Sequence, residues 1–94
     1  MKTYELMTIA KSELTDQGAK ELATQVQDLI KSFDGKIIKD DFWGKRKLAY
    51  EIKHDSEGYY DVVTFELSSE ALLKFKQKLN LVPNILRYLV TAKS

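Results

Sequence analysis

The chain has no cysteine, and that absence removes a disulfide framework, a thiolate nucleophile and any cysteine-ligated metal site at once. Its one histidine, His54, lies in a polar stretch with no serine or cysteine arranged around it as a nucleophile, so acid–base or covalent catalysis has no constellation to work with. One proline and four glycines in 94 residues leave no linker, low-complexity segment or glycine-rich phosphate loop. No apolar run approaches the roughly 20 residues of a membrane span, and the N-terminus lacks a signal-peptide core, so a cytoplasmic protein is expected. Asp40-Asp41 would point to opposite faces of a strand, a poor metal site. No catalytic residue, metal, cofactor or small-molecule substrate is expected.

What is present suits a single domain over residues 1–94. The apolar fraction, 44%, is enough for a two-layer core and argues against disorder. The net charge of +1 conceals a segregated pattern. Lys36, Lys39, Lys45, Arg46, Lys47 and Lys53 outnumber Asp40, Asp41 and Glu51 in residues 35–54. Residues 55–70 carry only anions, and residues from 71 onward only cations. Such segregation steers a polyanion to one side of a molecule, while the small total predicts a footprint shared with a partner.

Periodicity orders the elements as βαββαβ. Residues 2–10 alternate as a strand, with Tyr4, Leu6, Thr8 and Ala10 on one face. Thr15 is a candidate N-cap, and Ala19, Leu22, Ala23, Val26, Leu29, Ile30 and Phe33 form one stripe of an amphipathic helix with Leu29 at its centre. Gly35 is expected to supply the left-handed turn that closes it. Lys36–Phe42 is the next strand, Gly44 permits a bulge, and Leu48–Lys53 continues it. Residues 54–58 read as a polar turn and Tyr59–Leu67 as a strong strand, with Asp61 awkward on a buried-looking face and expected near the strand's end. Ser68 or Ser69 caps a second helix carrying Leu72, Phe75, Lys76 and Leu79; Pro83-Asn84 turns the chain into a last strand, Ile85–Ala92. This is the split β-α-β pattern: a four-stranded antiparallel sheet of order 4-1-3-2, both helices on one face, an α+β fold.

The other face then has no helix over it. Met7, Ile9, Tyr60 and Val62, with Ile85, Arg87 and Leu89 from the last strand, fall there, and Met7, Ile9, Tyr60, Val62 and Leu89 are candidates for contact with a protein partner. Stacking of RNA bases on the sheet is not expected. An RNA-recognition module would have a cation and two rings where Glu57, Asp61 and Thr64 stand. Trp43, beside the glycine, is expected to fold back against the core edge.

The run Gly44-Lys45-Arg46-Lys47-Leu48-Ala49-Tyr50-Glu51-Ile52, followed by Gly58-Tyr59-Tyr60, resembles the bacterial family of the sixth small-subunit ribosomal protein. So do Lys2-Thr3-Tyr4-Glu5 and Asn84-Ile85-Leu86-Arg87-Tyr88-Leu89-Val90, and the resemblance covers essentially the whole chain. It implies a ferredoxin-like fold and a non-catalytic, ribosome-associated role. Members bind the central domain of small-subunit ribosomal RNA together with the eighteenth small-subunit protein, as a heterodimer. Carried over by position, the RNA-facing cations are Lys2, Lys45, Arg46, Lys47, Lys53, His54 and Arg87. Lys2 and Lys47 stand where arginine is common, which turns a two-pronged phosphate contact into a single one. The rival expectation is a protein-interaction or regulatory domain of the same fold that dimerises through its open sheet face.

Overall fold

Strand β1 (Lys2–Lys11) runs through the middle of the molecule, and its alternation decides what lies on either side. The computed structural model describes residues 1–93. After a one-turn 3-10 segment at Ser12–Leu14 come helix α1 (Thr15–Ser32), β2 (Lys36–Ile52), β3 (Asp55–Leu67), α2 (Ser69–Leu79) and β4 (Ile85–Ala92). The strands form one antiparallel sheet in the order β2-β3-β1-β4, as the sequence predicts.

Both helices lie on one face of it. Tyr4 and Leu6 of β1 meet Val63, Phe65 and Leu67 of β3, and Val26, Ile30, Phe75 and Leu79 close over them from the helices. Phe65, Phe75, Leu6, Ile30 and Leu67 are among the side chains with essentially no exposure. A satellite cluster of Ala10, Ala19, Leu22 and Tyr59 extends the layer beneath the first half of α1. Ile30, not Leu29, is the centre of the helix stripe; Leu29 is only partly buried at its margin.

The caps are local chemistry. Thr15 has φ 67, outside the helical region, and its Oγ1 accepts from Gly18 N at 3.3 Å, so it satisfies a free donor of the first turn. Ser68 does the same for α2, its Oγ accepting from Ala71 N at 3.2 Å. The close of α1 differs from expectation. Asp34, with φ 63, takes the left-handed position, and Gly35 is required for space. A Cβ there would sit 2.5 Å from Ile30 Cγ2 and 2.8 Å from Ile30 O.

Three further expectations are corrected. The β2–β3 turn is only Lys53-His54, both at positive φ (49 and 71), and Asp55–Gly58 already belongs to β3. Two left-handed central residues give the twist that a two-residue hairpin needs. Asp61 is not near a strand end: it lies in mid-strand, opposite Thr8 on one side and Phe42 on the other, and is buried under α1's face of the sheet. Ile85 packs into the helix-side core, because the β1–β4 register shifts at Ile9/Ala10 and sets Leu86 on the open side instead.

Candidate nucleic-acid and protein interface

The site grows from the length of β2. β1 ends at Lys11, opposite Gly58, so the hairpin beyond that point has no third strand beside it. Of the three register shifts between β2 and β3, the two after Ile37/Lys39 shape this end of the strand. The register shifts at Phe42/Gly44, where Gly44 has φ +84 and open space around it. It shifts again between Lys47 and Ile52, which pair with Glu57 and Asp55, so four residues of β2 oppose Ser56 alone. Extra residues on one strand of a pair bend it.

The hairpin therefore curls back over the open face. Leu48, 8% exposed, packs on Ile9 and Leu86, with Ile52 and Tyr60 alongside. Tyr50 reaches β4, where the Arg87 guanidinium lies 5.6 Å from its ring centre and Nη1 donates to its hydroxyl. Ile9, expected as partner surface, is thereby 5% exposed and supports the hairpin from beneath. Met7, Tyr60 and Val62 remain half-buried and Leu89 is 56% exposed. Met7, Val62 and Leu89 floor a shallow groove edged by Trp43, Lys39 and Glu5.

The cations are distributed, not clustered. Arg46 shares the open face with Leu48 and Tyr50, as alternation predicts, and its Cζ lies 5.3 Å from the Trp43 ring centre. Lys45 points to the opposite face, its Nζ 5.4 Å from the Tyr59 ring, and Lys47 is exposed opposite Glu57. Lys53 and His54 form the hairpin tip, with His54 Nδ1 3.8 Å from Glu51 Oε1. Lys2 stands apart: it pairs with Leu67, seven positions along β1 from the residue opposite Arg87, roughly 24 Å at strand spacing.

Trp43 does not fold back against the core edge as expected; it is 42% exposed on the open face. It stacks on Tyr60 across the open face, centroids 5.9 Å apart and planes at 12°, and its Nε1 donates to Asp41 Oδ2 at 3.2 Å. Sequence reasoning did not find the Tyr50–Arg87 contact, which joins residues 37 apart. The alternation that sets Tyr50 beside Arg46 was its only signal.

On the helix side, the carboxyl of Asp61 is strongly perturbed. Burial, then a hydrogen bond and repulsion from Asp40, then Asp41, push its pKa from 3.8 up to about 8, and its Oδ1 has no hydrogen-bond partner among the described residues. Among those residues no three metal-ligating side chains come together, and no helix is long and apolar enough to cross a membrane.

The family profile described as ribosomal protein S6 matches residues 3–92. The small ribosomal subunit protein bS6 of Fusobacterium nucleatum is 38% identical over 90 residues, covering 96% of each chain. That of Dictyoglomus turgidum is 37% identical over 91 residues, 97% of this chain and 94% of its own. The crystal structure of 30S ribosomal protein S6 from Thermotoga maritima superposes with a TM-score of 0.91 at 30% identity, over 98% of this chain and 87% of that one. The C-terminal domain of the MgtC protein from Mycobacterium tuberculosis, 10% identical with a TM-score of 0.63, shares the fold alone. The sheet order, the two helices on one face and the match over nearly every residue agree: the chain belongs to the ribosomal protein S6 family of the small ribosomal subunit, a ferredoxin-like, ribosome-associated and non-enzymatic family.

Proposed function

We propose that this chain is a structural component that binds the central domain of small-subunit ribosomal RNA as a heterodimer with the eighteenth small-subunit protein. The observation that carries this is the composition of the open face. An apolar groove of Met7, Val62 and Leu89 lies on the same surface as Arg46 and Arg87, and neither arginine is paired with a carboxylate among the described residues. A protein surface suits the groove, and phosphates suit the arginines. Lys45, Lys47 and Lys53 add positive charge around the hairpin, His54 stands beside Lys53 at its tip, and Lys2 serves a separate stretch of backbone about one strand-length away.

A net charge of +1 allows few phosphates to be neutralised by this chain alone. Its own affinity for RNA is therefore weak, and the partner protein supplies the rest. The test is gel filtration and titration of a central-domain RNA fragment, with and without the eighteenth protein. A ternary complex should form, and the isolated chain should bind weakly at physiological salt. Arg46→Ala and Lys47→Ala should each lower the magnitude of the salt slope by about 0.7–0.9 while changing stability by less than about 0.5 kcal/mol. Tight, selective binding by the chain alone, or unchanged slopes in both variants, would refute this reading. Self-association without any RNA complex would favour the dimerising domain instead.

A further inference from the structure

Both open-face arginines lie against aromatic rings, and the rings are themselves held. Arg46 rests by Trp43, which is stacked on Tyr60 and tied to Asp41 through its indole N–H. Arg87 rests by Tyr50, which the hairpin carries across the sheet on the Leu48 seam. Resting on the RNA-binding reading above, we infer that Trp43 and Tyr50 are positioning residues that hold the guanidiniums of Arg46 and Arg87 where each receives a backbone phosphate.

The physics separates this arrangement from an ordinary surface cation. A free arginine gives up rotamer freedom when it takes a phosphate, whereas one lying on a ring has surrendered much of it before binding. A carboxylate partner would also hold the side chain, but it would consume the fork of N–H donors that phosphate needs. Contact with the ring face leaves that fork free for Arg46, and for Arg87 only one donor is engaged, by the Tyr50 hydroxyl. The opposite position to Arg46 on β3 is Gly58, so no side chain there competes with its lean toward the indole. Lys45, by contrast, is a point charge on the helix side and gains no orientation for a planar contact.

The experiment uses the heterodimer with the eighteenth small-subunit protein, titrated with a central-domain RNA fragment across a salt series. Arg46→Ala should weaken binding and lower the salt slope by about 0.7–0.9. Trp43→Ala should weaken it about two- to fivefold with the slope unchanged, because the guanidinium still reaches its phosphate but from a less ordered start. Trp43→Phe should recover most of that loss, and Trp43→Ala combined with Arg46→Ala should bind no more weakly than Arg46→Ala alone. Arg46→Lys, which leaves the sheet's packing untouched, should lose affinity without loss of slope, so the question survives even if Trp43→Ala folds poorly. Tyr50→Ala and Arg87→Ala should behave as the equivalent pair. Additive losses for Trp43 and Arg46 would mean that the indole touches RNA directly and would overturn the inference. Wild-type binding by Arg46→Lys and Trp43→Ala would overturn it as well. If Arg46→Ala and Arg87→Ala themselves leave affinity and slope unchanged, the RNA site lies elsewhere and the preceding reading falls with it, a distinct result.

Discussion

The two faces of this sheet are made by the same strands, and neighbouring residues of one strand have opposite fates. On the helix side Tyr4, Leu6, Val63, Phe65 and Leu67 are buried by α1 and α2. On the open side Met7 and Val62 stay half-exposed, and Ile9 and Leu86 are covered where Leu48 of the chain's own hairpin packs on them. The helix side gains its stability from burial and tolerates one misplaced carboxyl, Asp61, by keeping it protonated. The open side contributes less to stability and displays an apolar groove beside two arginines that have no carboxylate partner among the described residues. Core and open face are thus one residue apart in sequence.

Mutations sharpen the contrast. Phe65→Ala should cost about 3–5 kcal/mol in urea melts, and Ile30→Ala about 2–5, since both side chains are fully enclosed. Leu29→Ala, at the margin of the same helix, should cost less than about 2 kcal/mol; equal losses at positions 29 and 30 would mean the stripe is centred elsewhere.

Asp61 tests the helix side by pH. The folded protein keeps on this carboxyl a proton that the unfolded chain releases near 3.8. Stability from this source is greatest below that value and falls as pH rises toward about 8, where the folded carboxyl also ionises beside Asp40. Asp61→Asn should flatten that decline and be more stable than wild type at the alkaline end. Parallel profiles for the two proteins, measured by denaturant titration, would show that the group titrates normally.

The open side yields smaller effects. Leu48→Ala, in a seam that can partly collapse, should cost about 2 kcal/mol. Its clearest mark should be faster amide exchange across residues 46–58 with the helix-side core unchanged. His54→Gly should stabilise by no more than about 1 kcal/mol, because glycine adopts the left-handed turn conformation without the Cβ penalty. A loss there would show that the exposed imidazole makes a contact worth more than the strain.

Much of this architecture was legible in the chain. Period-two alternation in β1 and β3, the 3.6-residue stripe of α1 and the Ser68 cap are local signals, each set by residues a few positions apart. They fix element order and the inward faces, and they mark the sequence segment that carries the candidate site. The Gly44 bulge was legible too, since a left-handed position calls for glycine.

Other features belong to tertiary structure. That Gly35 is needed for space beside Ile30, while Asp34 takes the left-handed turn, shows only once the end of α1 is packed on the sheet. Ile85 turned inward because a register shift against β1, invisible in β4 itself, exchanged its face with that of Leu86. The meeting of Tyr50 with Arg87, and the burial of Ile9 under Leu48, required four residues of β2 to bulge opposite Ser56 and curl the hairpin over the sheet. Alternation says which side of a strand a residue faces. Only the bend of the hairpin decides what it meets there, because that bend sums register, twist and packing from strands far apart in the chain.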